Sequence, residues 1–129
     1  MIVVDASVLA SIVIDRSVDG AHLRGRLRGE TVAVPDLTRI EVMSVIRRQL
    51  HSNLLDNVAA IRALDDLLDL PLIVYPTREL LARAWALRDN LTTYDACYVA
   101  LAELLGCPLL TADTRLARSP GVHCPIEVL

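Results

Sequence analysis

The apolar residues of the chain fall into short runs, separated by longer segments in which apolar and polar positions recur with helical spacing. Four runs, 2–4, 31–34, 72–75 and 108–110, are rich in Val, Ile and Leu without polar alternation, the pattern of parallel strands covered on both faces. A fifth, 126–129, repeats the pattern more weakly. Between them, 18–28, 37–50, 55–68, 78–88 and 94–105 have the periodicity of amphipathic helices. Thr92 or Thr93 is placed to cap the helix beginning near Tyr94, and Gly106 followed by Pro108 closes it. The order β, α, β, α, α, β, α, α, β, α, β, joined by right-handed crossovers, predicts an α/β fold: a mostly parallel twisted sheet with helices on both faces. No repeat, low-complexity tract or linker interrupts it, so residues 1–129 are expected to form a single domain.

Composition supports a packed core, since 53% of the 129 residues are hydrophobic. The longest apolar stretch near the N-terminus, 8–14, is closed by Asp15 and Arg16, far short of the roughly 20 residues that span a bilayer. The N-terminal run has no basic region ahead of it and contains Asp5, unlike a signal peptide, so a cytoplasmic protein with no membrane segment is expected. Cys97, Cys107 and Cys124 are odd in number and lack CxxC spacing, which favours reduced thiols over a zinc site built on His123 and Cys124.

All 13 basic residues are arginine, which excludes any mechanism requiring a lysine. A net charge of −3 argues against nucleic-acid binding by bulk electrostatics, but setting aside four clustered carboxylates leaves the remainder at +1. Four acids are placed to form such a cluster. In a parallel α/β sheet, functional groups collect where strands end at their carboxyl edge. Asp5 follows the first strand, Asp113 follows Leu110-Thr111-Ala112, Asp95 lies in the first turn after Leu91-Thr92-Thr93, and Glu41 lies one turn into 37–50.

Each aspartate also has a structural reading as a helix cap or dipole partner. Glu41 is harder to read that way, because it stands beside Ile40 and Val42 in a helix whose far end carries Arg47 and Arg48, and a buried carboxylate needs a partner. A shared cation supplies one. An all-oxygen donor set with no His or Cys at the same edge selects Mg²⁺ or Mn²⁺ over Zn²⁺ or copper, and such ions suit phosphodiester hydrolysis.

These residues carry a family resemblance. Val3-Val4-Asp5-Ala6-Ser7 resembles the opening of PIN-domain proteins, especially the VapC-type toxins of bacterial toxin–antitoxin pairs. The segment from Pro35 through Glu41 into Val42 resembles the helix with their glutamate, and Thr93-Tyr94-Asp95-Ala96-Cys97-Tyr98 the helix with their third acid. Leu110-Thr111-Ala112-Asp113 with Leu116 resembles the segment with the fourth. The resemblance implies a three-layer αβα sandwich that cleaves RNA with Mg²⁺ or Mn²⁺, often as a homodimer, and is silenced by a VapB-like antitoxin. It maps Asp5, Glu41, Asp95 and Asp113 onto the acidic quartet, and Ser7 and Thr111 onto hydroxyl positions that orient a carboxylate or a metal-bound water. Ser44 departs from the asparagine many members carry, and Thr114 and Arg115 stand where a further acid or amide sometimes lies, which leaves a second metal open.

Arg24 and Arg28 share a predicted helix face and are candidate phosphate contacts, as are Arg47 and Arg48. Trp85, Tyr94 and Tyr98 are candidates for stacking on RNA bases; Tyr94 and Tyr98, one turn apart beside Asp95, are the better placed, and Trp85 is expected rather to pack in a helical interface. A receiver or phosphatase domain is disfavoured by the absence of lysine and of a DxD pair, and nucleotide-binding folds by the absence of GxGxxG and GK[ST]. The competing reading is a catalytically silent PIN-like module that binds RNA or protein.

Overall fold

The computed structural model describes residues 1–129. The chain forms two compact units: a sheet unit of Met1–Asp5, Glu30–Asp36 and Leu72–Leu129, and a helical unit of Ala6–Gly29 and Leu37–Pro71.

The sheet unit is built on β1 (Ile2–Val4), β2 (Val32–Pro35), β3 (Leu72–Tyr75), β4 (Leu109–Thr111) and β5 (Ile126–Val128), in the order β3-β2-β1-β4-β5. Every neighbouring pair is parallel, with Val3 opposite Leu109 and Val4 opposite Leu110. The central strands β1 and β4 are buried throughout, as continuous apolar strands should be. The outer strands depart from that expectation: Ile73 and Val74 of β3 are each 43% exposed, and β5 is half-buried. Both lie at an edge of the sheet, where a neighbouring strand is present on one side alone.

A 3-10 turn at Thr77–Leu80 leads into α5 (Leu81–Ala86), shorter than the predicted 78–88. Then follows α6 (Thr93–Leu105), which begins and ends as its sequence predicts. Thr92 caps it, its hydroxyl accepting the Asp95 N–H at 3.2 Å, and Gly106 ends it at φ +62°, a left-handed conformation that favours glycine. Residues Ala96 to Ala102 of α6 are all buried, and the helix packs against β1, β2 and β4. The helix expected between β4 and β5 is reduced to a 3-10 turn, Leu116–Arg118.

The helical unit holds α1 (Ala6–Ile14), α2 (Val18–Arg26), α3 (Thr38–His51) and α4 (Asn57–Asp69). The pattern of apolar positions does not predict α1. Its core positions Ala6, Val8, Leu9, Ala10, Ile12 and Val13 run almost continuously, and a helix apolar nearly all round shows no amphipathic period. Arg24 fastens the end of α1: one guanidinium nitrogen donates to the Ile12 carbonyl at 3.0 Å and to the Asp15 carbonyl at 2.7 Å. Gly20 is required beside it, because an added Cβ would stand 2.1 Å from the Asp15 carbonyl oxygen. Asp56 caps α4 by accepting the Ala59 N–H at 2.7 Å. No helix is long and apolar enough to cross a membrane.

Candidate active site

The two central strands fix the first part of the site. They run parallel in register, so Asp5, which follows β1, and Thr111, the last residue of β4, emerge side by side at the carboxyl edge. The sheet order reverses here, with β2 on one side of β1 and β4 on the other, and ligands of open α/β sheets bind at such a switch point. The Asp5 N–H donates to the Leu110 carbonyl at 3.2 Å, and Asp5 is only 7% exposed. Thr111, fully buried, donates its hydroxyl to Asp5 Oδ2 and accepts the Asp113 N–H at 3.0 Å on the same oxygen. One threonine thus orients both the carboxylate at the end of β1 and the backbone carrying Asp113.

Asp95 is brought in by α6. Burial raises its pKa above the ordinary value of 3.8; the Thr92 contact lowers it, and the charges of Asp5 and Asp113 raise it further. Asp95 therefore lies within the fields of both Asp5 and Asp113. A cavity of about 190 Å³ opens over Asp95 and Asp113, lined also by Asn90, Thr92, Arg115 and Ser119 among others.

Arg115, noted in the sequence as a departure from a family acid or amide, pairs with Asp113, which the sequence does not predict. Its Nε and Nη2 each donate to Asp113 at 3.1 Å, its backbone N–H donates to Asp113 Oδ1 at 2.9 Å, and these bonds hold the Asp113 carboxyl below its ordinary value. The guanidinium side chain is itself 89% exposed. No group of three His, Cys, Asp or Glu side chains is placed to hold an ion as the chain stands. At Asp113 the reason is local, since both oxygens are turned to Arg115. The donor set nevertheless fits a hard cation: three carboxylates and a threonine hydroxyl, all oxygen. The short exposed Asp113–Arg115 pair is the kind that costs little to exchange.

Glu41 and Ser7 belong to the helical unit. Glu41 lies in the first turn of α3, its N–H donating to the Leu37 carbonyl at 3.1 Å. Its expected apolar setting is only half present, because Val42 is buried but Ile40 is 70% exposed. Ser7 is exposed on α1.

The candidate RNA contacts divide. Tyr94 is 58% exposed, but Tyr98 is 2% exposed, so Tyr98 is a core residue with no ring face to offer a base. Arg24 is engaged with the end of α1, and Arg28 lies exposed beyond the last residue of α2, so the two do not form the shared helix face expected. Trp85 reverses its expectation: it is 69% exposed rather than packed in an interface.

A family model described as PIN domain matches residues 2–122, and the chain belongs to that family. Among its relatives, Ribonuclease VapC12 of Mycobacterium tuberculosis is 39% identical over 129 residues, covering 100% of this chain and 99% of that protein. Among solved structures, PAE2754 from Pyrobaculum aerophilum is 30% identical with a TM-score of 0.70, covering 98% of this chain and 83% of that one. VapBC2 from Rickettsia felis, solved bound to a DNA fragment from its promoter, has a TM-score of 0.72 at 14% identity, with 99% and 98% covered, a likeness of fold alone. The fold is the PIN-like αβα class that the sequence resemblance implied.

Proposed function

We propose that this chain is a ribonuclease that hydrolyses RNA phosphodiester bonds, the toxin of a VapBC-type toxin–antitoxin pair, with residues 1–129 acting as one nuclease domain in the cytoplasm. The observation that carries the reading is the convergence of three aspartates, from the end of β1, the first turn of α6 and the segment after β4, with Asp95 raised by burial and by the charges of the other two. A full-length relative named a ribonuclease supports the same activity.

Asp5, Asp95 and Asp113 would hold Mg²⁺ or Mn²⁺, and Glu41 is kept as the family's fourth acid on the resemblance alone. An ion held there would supply activation of the attacking water and an offset to charge on the leaving oxygen. The chain's own residues do the rest. Thr111 fixes the rotamer of Asp5 and the approach of Asp113, and Thr92 fixes the start of the helix that carries Asp95. Arg115, once Asp113 turns inward, presents an exposed guanidinium to a phosphate, a geometry it suits. Tyr94 and Arg28 remain candidate RNA contacts.

The proposed partners are the RNA substrate, a VapB-like antitoxin and a second copy of the chain. The outward residues Val58, Ile61 and Leu68 of α4 offer apolar surface for a dimer. The test is incubation of the protein with a mixed RNA pool and Mg²⁺ or Mn²⁺. Cleavage that stops with a chelator is the expected result, and full cleavage in excess chelator contradicts the metal mechanism.

A further inference from the structure

The only tryptophan of the chain lies on the surface, outside the acidic site. Trp85 sits in α5 and lines a cavity of about 310 Å³ together with Leu81, Ala84, Arg88 and Thr93. Arg88 lies over the indole, its guanidinium carbon 4.8 Å from the ring centroid, and is tied down by donating to the Trp85 carbonyl at 3.0 Å. That separation is within the roughly 6 Å reach of a cation–π contact. The result is a flat aromatic wall with a positive group already stacked on it, beside a small opening edged by Thr93.

This cavity adjoins the acidic one along the chain. Thr93, the first residue of α6, lines the first cavity, and its neighbour Thr92, the cap of α6, lines the second beside Asp95. Tyr94 follows directly and is exposed. An RNA strand whose phosphate lies over Asp95 and Asp113 therefore has an aromatic surface within reach of the next unstacked base.

We infer that the Trp85–Arg88 cavity is a nucleobase subsite that stacks an unpaired base of the RNA flanking the cleaved bond. The inference rests on the ribonuclease reading and adds to it the place where a splayed base of the strand is held. Proteins that hold single strands combine aromatic platforms with cations that follow the backbone. Charge decides between RNA and a protein occupant, because a guanidinium stacked on the exposed ring favours a phosphate-bearing strand over an apolar protein face.

Because Trp85 is the sole tryptophan, its emission reports the subsite directly. The full chain is titrated in EDTA, where cleavage is off, with a short unstructured RNA oligonucleotide, and a duplex of the same sequence serves as control. The expected result is saturable quenching by the single strand and little by the duplex. Trp85→Ala should weaken single-strand binding roughly 5- to 150-fold, the range that stacking of one base supports. Trp85→Phe should recover part of the loss, and Arg88→Ala should weaken binding and flatten its salt dependence.

Two results overturn the subsite while leaving the ribonuclease reading intact: a parent that cuts RNA in Mn²⁺ but shows no quenching in EDTA, or a Trp85→Ala protein with the parent's RNA affinity. A blue shift that follows protein concentration without RNA also overturns it, since a second copy would then cover the ring. A parent that neither binds nor cuts RNA removes both readings.

Discussion

Two carboxylates stand at opposite ends of α6 in opposite circumstances. At the C-terminal end, burial pushes Glu103 up, but its contacts more than reverse this. Arg83 donates to it from Nε at 2.7 Å and Nη2 at 3.1 Å, and the His123 N–H donates at 2.8 Å, leaving Glu103 below its ordinary value. Arg83 also donates to the Gly121 carbonyl at 2.7 Å, so the pair ties α5, α6 and the segment before β5 together. At the N-terminal end, burial raises Asp95, and its charged neighbours of opposite influence are unequal: Asp5 and Asp113 raise it more than Arg115 lowers it. The chain surrounds the carboxylate that holds structure with compensating donors and leaves Asp95, which lines the cavity, with more like charge than opposite charge around it. A site kept at a net negative charge costs stability unless a cation arrives, and that cost marks function rather than packing.

The largest expected effect comes from removing charge at the acidic end. Asp95→Asn keeps the shape and the capping geometry of α6, and it should lower RNA cleavage by more than the roughly 10- to 100-fold that outer-shell partners of a metal site are worth. A cleavage assay beside circular dichroism checks this, and normal cutting by a folded variant would make Asp95 a structural residue like Glu103.

Thr111→Val tests the next layer. The variant keeps volume but leaves Asp5 Oδ2 and the Asp113 N–H without the hydroxyl that joins them, so cleavage and Mn²⁺ affinity should each fall by about 10- to 100-fold. Unchanged Mn²⁺ affinity, measured by calorimetry, would remove Thr111 from the site.

Arg83→Ala should act on stability instead, by about 1–3 kcal/mol, because it strands a largely buried carboxylate. Cleavage at a temperature below the lowered melting point should be retained. Loss of activity without loss of stability would blur the contrast between the two ends of the helix.

The smallest effects are in pH, and their signs differ. Glu103 is held below its ordinary 4.5, so its contribution to stability is present above that value and is lost as pH falls through the lower folded-state value. Asp95 is held above 3.8, so the metal-free protein loses stability as pH rises from there through the raised value. Melting curves across acidic pH should show the first trend abolished in Glu103→Gln and the second in Asp95→Asn. Trends of the same sign in both variants would contradict the comparison.

What could be read from the sequence follows from the range of the interactions involved. The central strands, the cap at Thr92 and the stop at Gly106 are local, and so is the placement of Asp5 and Asp113 after apolar strands; these elements are found within a residue or two of their predicted positions. α1 was invisible because its apolar positions run together without a period. Trp85 and Tyr98 exchanged roles for a related reason. Both sit on helices, but which face turns inward depends on how α5 and α6 pack, and spacing alone cannot say so. Arg24 reads as a free cation until the end of α1 is known to lie against it. Arg115 carried a signal, an arginine two residues after an aspartate in a turn, but only the fold shows that it occupies both Asp113 oxygens.

The central claim is that the acidic end of α6 is built for a cation, and thermal melts of the parent and Asp95→Asn, with and without Mn²⁺, test it most directly. Without metal the variant should melt at the parent's temperature or above it, because one member of a repelling set is neutral while the cap remains. With Mn²⁺ the order should reverse, since the parent gains ligand-linked stability of about 2.7 kcal/mol at a hundredfold excess over Kd and the variant gains less. An Asp95→Asn protein that melts far below the parent without metal, or a parent that Mn²⁺ does not stabilise, would contradict the account.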